Sequence, residues 1–280
     1  MAFDFVKAHR VDPDSSIRLA SVKTDQSGPF DDKEAAKAYV AETIPRLQEL
    51  QYRLYVEHKQ SLLVVLQAPD AAGKDGLIRK VLGQMNPQGC RTYPFKVPSK
   101  EEAAHDFLWR VHKCTPGRGK ISIFNRSHYE DVLVVRVEDL VPSKVWRKRY
   151  EIINAFEKSL VESGTRILKF YLHISPQEQL ERFGKRLANP EKHWKLNAGD
   201  YAARAKWDDY RRAYQDVLKK CSPKSAPWFV IPADHKWYRD AAVAGIVLDT
   251  LRSMKPKMPA SDADLDEISK LYQEAKREYA

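Results

Sequence analysis

The sequence predicts a three-layer α/β domain built on a parallel five-stranded sheet. Three observations predict it. Short, almost wholly apolar runs such as Ser61–Gln67 (SLLVVLQ) read as strands buried on both faces. These runs alternate with longer segments of helical periodicity, as βαβ units do. Gly, Pro and Asp cluster at the joins, as in PDAAGKDG (69–76), MNPQG (85–89) and TPGRG (115–119).

Residues 1–30 mix Asp, Ser, Gly and Pro without sustained periodicity and predict an irregular arm on the surface or on a partner subunit. From Asp31 to about His58 an apolar stripe through Ala38, Ile44, Leu47 and Leu54 predicts a helix that tolerates Pro45. Strand 61–67 follows, then a turn and a helix over 75–84, then a strand at 91–95. Ser99 with Glu102 three residues later forms a capping-box pattern, predicting one helix over 100–113 with Ala104, Phe107, Leu108 and Val111 inside. Strands at 120–124, 166–174 and 228–231 alternate with helices at 144–162, from Pro176, and at 238–254. A charged amphipathic helix over 261–279 stands beyond a Lys/Pro linker. The organisation is thus an arm (1–30), a core with an inserted basic segment (31–255) and a C-terminal helix (256–280).

The chain has 280 residues, 43% hydrophobic and 31% charged, with 48 Lys+Arg against 38 Asp+Glu and a formal net charge of +10. No apolar run approaches the roughly 18 residues of a membrane span, and the charged start is not a secretory signal, so a cytoplasmic protein is expected. Cys90, Cys114 and Cys221 are odd in number and form no C-x-x-C pair; neither a disulfide framework nor a zinc site is indicated. Positive charge points to an anionic partner. It concentrates between Arg182 and Lys224, where twelve basic residues face five acidic ones.

Two loops carry the chemistry. The first, Gln67 to Gly76, stands between a buried strand and a helix, where backbone amides collect anions and a following lysine reaches terminal phosphates. Ala71, Ala72, Gly73, Lys74, Asp75 and Gly76 are its candidate phosphate contacts. The match to G-x-x-x-x-G-K-[ST] is incomplete, because Ala68 replaces the first glycine and Asp75 the hydroxyl residue. Asp70 supplies a carboxylate that can hold a divalent cation; its plain alternative is a helix cap. The second loop, Asn125-Arg126-Ser127-His128-Tyr129-Glu130-Asp131, follows the third strand at the same sheet edge. No Ser-His-Asp arrangement or H-E-x-x-H spacing is present. Phosphoryl transfer needs neither, since it asks for alignment and charge neutralisation.

The strings PDAAGKDG (69–76), NPQG (86–89), PSKEEAAHDFLWR (98–110), IFNRSHYEDVLVVRV (123–137) and ERFGKR (181–186) resemble the polyphosphate kinase 2 family, over roughly residues 30–255. The form of the second loop most resembles the subgroup called class III, which phosphorylates both AMP and ADP. The resemblance implies a P-loop kinase fold with a helical lid over about 182–224. It also implies reversible phosphoryl transfer from inorganic polyphosphate to adenine nucleotides, with magnesium or manganese as cofactor and a homo-oligomer, in many members a tetramer. It places the family's catalytic aspartate and lysine on Asp70 and Lys74, and the second-loop arginine on Arg126. Many members begin that loop Asp-Arg, whereas here Asn125 precedes Arg126, so Asp131 or, next, Glu130 is expected to share the metal with Asp70. Asn125, Arg126 and His128 are candidate nucleotide contacts, although packing is the stronger role for His128. Arg136, Arg182, Lys185 and Arg186 are candidate phosphate ligands, the last three as lid cations with Lys192 and Lys195 behind them. The rival readings are an ATP-dependent nucleoside monophosphate kinase and a nucleic-acid-binding protein using the basic segment. Ala68 and Asp75 speak against the first. Membrane and nucleic-acid partners are not expected.

Overall fold

The computed structural model describes residues 3–13 and 17–279. Its elements in chain order are α1 (Phe5–His9), α2 (Lys33–Glu57), β1 (Ser61–Gln67), α3 (Lys74–Lys80), β2 (Cys90–Pro94), α4 (Lys100–Ala104), α5 (Trp109–His112) and β3 (Ile121–Asn125). There follow α6 (Val134–Val137), α7 (Ser143–Glu162), β4 (Thr165–His173), α8 (Pro176–Leu187), α9 (Ala198–Ala205), α10 (Trp207–Lys220), β5 (Trp228–Pro232), α11 (Lys236–Met254) and α12 (Leu265–Arg277). The five strands form one parallel sheet in the order β2-β3-β1-β4-β5. β1 is central, and the order reverses beside it, so the loops after β1 and β3 open together at the carboxyl edge where such sheets bind ligands.

Strand alternation builds the two faces. Leu62, Val64 and Leu66 of β1 pack with α2, α3 and α11, while Leu63 and Val65 pack with α5, α7 and α10. The sheet is therefore the middle of three layers, as the apolar runs predict. Pro45 sits inside α2 without ending it. The buried stripe of that helix runs through Ala36, Thr43, Leu47, Gln51 and Leu54; Ala38 faces solvent.

Three expectations are corrected. Residues 100–113 are not one helix. The Ser99/Glu102 capping box starts α4, but the Asp106 carboxylate accepts from the Leu108 amide at 2.9 Å, a local turn that competes with the helical ladder, and Ala104 is exposed. The arm is not a loose surface segment. It contains α1, buries Phe5, Val11 and Leu19, and pairs Arg10 with Phe229 antiparallel. The C-terminal helix is shorter than 261–279 and leaves Leu265, Ile268, Leu271 and Tyr272 exposed.

His9 closes the arm onto the core, with Nε2 at 2.7 Å from the Tyr238 hydroxyl. Burial pushes its pKa down from 6.5 to about 4, against a smaller opposing effect of the Val230 backbone. Folded protein keeps this ring neutral while unfolded chain protonates it, so stability falls as pH drops from 6.5 to 4. Equilibrium denaturation of wild type and His9→Gln across that window is expected to show the wild type losing roughly 3 kcal/mol more than the variant; parallel curves would remove His9 from the account.

Candidate active site

The first loop leaves β1 at Gln67 and enters α3 at Lys74, with Ala71 at φ +63° and Gly73 at φ +100°. Gly73 is required twice over. Its φ suits glycine, and a Cβ there would stand 2.1 Å from Nη1 of Arg239. Buried arginines hold the loop from behind. Arg182 donates through Nη1 to the carbonyls of Ala71 and Ala72, both at 3.0 Å, and through Nη2 to those of Ala233 (2.6 Å) and Asp234 (2.9 Å). Arg239 Nη1 donates to Ala72 O at 3.1 Å, and Gln179 Nε2 to Asp70 O at 3.0 Å. In a trans peptide the following N–H points opposite to its carbonyl, so the Ala71 and Gly73 amides turn away from these braces. α3 starts at Gly73 without a side-chain cap.

The second loop leaves β3 at Asn125 and meets the first across the sheet edge. Arg126, at φ +60°, donates through Nη2 to Asp70 Oδ1 at 2.8 Å and through Nη1 to Glu130 Oε2 at 3.4 Å. Burial opposes its charge, but Glu130 and Asp70 outweigh burial and raise its pKa. Asn125 Nδ2 donates to Asp75 Oδ1 at 3.0 Å, and Lys195 Nζ reaches Asp75 Oδ2 at 3.2 Å. Burial disfavours ionised Asp75, yet these two contacts leave its pKa below the ordinary value. Lys74 Nζ rests on the Ala68 carbonyl at 3.0 Å. Burial, then the Arg126 charge, lower its pKa against the pull of Asp70, Glu130 and Asp75.

A buried ion pair fixes the second loop from below. Glu157 of α7 accepts from Lys169 Nζ at 2.5 Å and from the Tyr129 hydroxyl at 2.8 Å, and lies 3.3 Å from His128 Nε2. Lys169 of β4 completes its three donors on Tyr129 Oη (3.0 Å) and Cys221 O (2.7 Å). Ser127 accepts from Gln67 at 3.1 Å. The residues on either side of this anchor, Arg126 and Glu130, are thereby held over the sheet edge.

Between the loops lies an open trough of ≈ 690 Å³. Lys74, Lys96, Arg110, Arg126, Arg186 and Lys195 supply its cations, and Asp70, Asp75, Glu130 and Asp131 its carboxylates. A narrow chamber of ≈ 70 Å³ shares the Asp70, Arg126 and Glu130 wall and is lined further by the rings of Tyr171, Trp207, Tyr210 and Tyr214 and by Gln179, Arg204 and Arg211.

The polyphosphate kinase 2 family model matches residues 30–259. The chain belongs to that family. It is 47% identical over 264 residues to the AMP/ADP-polyphosphate phosphotransferase of Meiothermus ruber, covering 94% of this chain and 99% of that one. It is 41% identical to the ADP-polyphosphate phosphotransferase of Rhodopseudomonas palustris, over 90% and 92% of the two chains. The crystal structure of polyphosphate kinase 2 from Arthrobacter aurescens TC1 superposes with a TM-score of 0.94 at 41% identity, covering 98% of this chain and 99% of that one.

The family's two loops are brought together here as their sequence order implies, with Ala71, Gly73, Lys74, Asp75, Gly76, Asn125 and Arg126 all on the trough. Ala72 is buried behind them. Four expected ligands are placed elsewhere. Arg182 is 4% exposed and its guanidinium is occupied by carbonyls and by Glu178, so it supports the loop and is not a lid cation. Arg136 is paired with Asp216 at 2.6 Å and stacked on Trp146, tying α6 to α10. Lys185 lies on the outer surface beside Glu181. His128 is fully buried on Glu157 and lines neither the trough nor the chamber beside it. Arg186 does reach the trough, beside Asp200 at 3.4 Å.

Both second-loop acids line the trough, with different partners. Asp131 is held by Arg149 at 2.9 Å, whereas Glu130 shares Arg126 with Asp70. Sequence reasoning missed Arg239 and the trough residue Arg110, which lies 8% exposed on the Phe95 ring. Arg110 closes the string PSKEEAAHDFLWR, which was its available signal; Arg239 had none.

Glu157→Gln leaves the Lys169 ammonium buried without its counter-charge. Urea unfolding is expected to show a loss of about 3–5 kcal/mol, much of it recovered when Lys169→Met is added. A single variant as stable as wild type would show that the pair anchors nothing.

Proposed function

We propose that this protein transfers a phosphoryl group from inorganic polyphosphate to AMP and to ADP, giving ADP and ATP, reversibly. The observation that carries the reading is the trough in which Lys74 and Arg126 stand beside the Asp70 and Glu130 carboxylates. The relatives from Meiothermus ruber and Rhodopseudomonas palustris, matched along nearly their full length, bear names that describe this activity. A terminal phosphate oxygen of the nucleotide bonds to the terminal phosphorus of the polymer. The bridging P–O bond behind that phosphorus breaks, and a chain one phosphate shorter leaves. The attacking oxygen is already anionic, so no side chain needs to remove a proton from it. The work of the protein is to align two anions and neutralise the charge spread over the transferred oxygens. Lys74, Arg126 and the outward amides of the first loop do this on one side, Arg186 and Lys195 on the other. Asp75 takes the position of the missing hydroxyl residue and, through Lys195, tethers the segment after α8 to α3.

Magnesium fits the carboxylates present. Among the described residues no group of three or more His, Cys, Asp or Glu side chains could hold a metal ion. Magnesium, however, takes one or two carboxylates and completes its shell with water and substrate phosphate. Asp70 and Glu130 would hold it, and manganese suits the same oxygen donors. When bound, the cation neutralises phosphate charge. A cytoplasmic homo-oligomer is the accompanying proposal, supported by three free thiols and by the apolar residues that α12 leaves exposed.

Pairing within the chain speaks against a nucleic-acid groove along the basic segment. In the basic segment Arg182, Arg204, Lys206 and Arg211 each bond to a carbonyl, carboxylate or amide oxygen of this chain.

Purified protein with magnesium and long-chain polyphosphate is expected to convert AMP to ADP and ADP to ATP. Lys74→Ala should lower kcat ~10²–10³-fold with an unchanged melting temperature. Activity with ATP as the donor and none with polyphosphate would sink the assignment. Glu130→Gln should raise the magnesium concentration at half-maximal rate several-fold more than Asp131→Asn does; the opposite ranking would return the metal to Asp131.

A further inference from the structure

A second cleft, of ≈ 560 Å³, lies behind the first loop, between the start of α2 and the segment joining β5 to α11. Helix α3 links it to the trough. Lys74, its first residue, lines the trough and Lys80, its last, lines the cleft. Six steps of helical rise separate them by about 9 Å.

The charges in this cleft do not balance. Its three acids are already engaged: Glu178 accepts from Arg182 at 2.7 Å, Asp240 pairs with Arg239 at 2.5 Å, and Asp234 accepts from the Thr24 hydroxyl at 2.6 Å and the Ser175 amide at 2.8 Å. Lys37 is paired with Glu34 at 2.9 Å. Lys33, Lys80 and Lys236 line the same cleft, and none has an ion-pair or hydrogen-bond partner among the described side chains. Burial, then the charges of Arg182 and Arg239, lower the Lys236 pKa against the smaller pull of Glu178. A cavity of this size with three ammonium groups that form no ion pair is suited to several phosphates in a row.

We infer that the cleft is an accessory site for condensed phosphate, in which Lys33, Lys80 and Lys236 grip the part of a polyphosphate chain beyond its reacting end. The inference rests on the proposed activity. Only the terminal phosphate reacts, while every internal phosphate of a long chain carries a charge that needs a partner outside the trough. The cleft therefore confers a preference for long chains, and a short oligophosphate confined to the trough gains nothing from it. The triphosphate of a nucleotide shares the chemistry and is the competing source.

The test is the triple variant Lys33→Gln/Lys80→Gln/Lys236→Gln, none of whose positions lines the trough, assayed with long-chain polyphosphate and with tetrapolyphosphate. KM for the long chain is expected to rise about tenfold, three exposed contacts of roughly 0.5 kcal/mol each, with kcat and KM for tetrapolyphosphate unchanged. The triple Lys→Arg variant should retain the wild-type preference. Equal KM changes at both lengths, or none, would overturn the inference, and a raised KM for ADP at both lengths would give the cleft to the nucleotide instead. If wild type fails to use polyphosphate at all, the proposed function falls. Equilibrium binding of long-chain polyphosphate to wild type and to the triple variant then still reads the cleft, and equal affinities would reject it.

Discussion

The candidate site depends on turning one loop of backbone inside out. Between Asp70 and Gly73 the carbonyls point into the protein, where Gln179, Arg182 and Arg239 receive them, and the Ala71 and Gly73 amides point the other way. A carbonyl facing a phosphate repels it, and an amide attracts it. Two guanidinium groups buried behind the loop thus decide the sign of the surface in front. Their own charges are balanced by Glu178 and Asp240, so the bracing costs little uncompensated desolvation.

The second loop obeys the same logic with a different support. Glu157 and Lys169 lie wholly inside the layer between the sheet and α7, and through Tyr129 and His128 they set the turn that carries Arg126 and Glu130. Ala71 and Arg126 both take left-handed backbone angles that side chains disfavour. Such conformations persist where surrounding contacts over-determine them, and both loops are held in that way. Rigid loops keep the Asp70–Arg126–Glu130 wall in one place, which suits a reaction whose catalysis is mostly alignment.

The segment from the end of α8 onward is basic in sequence but mostly neutralised in space. Arg186 meets Asp200, Lys206 meets Glu138, and Lys195 reaches across to Asp75. These pairs hold α9 and α10 over the sheet edge, so the charge excess acts as stitching along most of its length and borders the trough at Arg186 and Lys195. The same accounting shows why the cleft behind α3 stands out: there Glu178 and Asp240 are engaged with buried arginines and Asp234 with Thr24 and Ser175, and the lysines are left over.

The sequence by itself determined the layered α/β fold, the five strands, the two loops that meet at the sheet edge and the family. Those features are written in short stretches: apolar runs of strand length, a Gly-Lys turn after a strand, and contiguous strings such as IFNRSHYEDVLVVRV. Tertiary structure alone decided which charges are available. Arg182 and Arg186 share a helix face pattern, yet one is enclosed by carbonyls from residues 71, 72, 233 and 234 while the other reaches the trough. Asp131 and Glu130 are neighbours, yet Arg149 from α7 claims one and Arg126 the other. The packed arm, anchored by Phe5, Val11 and Leu19, and the break at Asp106 also escaped the pattern. An ionic or apolar side chain acquires its role from partners many residues away, and local spacing carries no record of who those partners are.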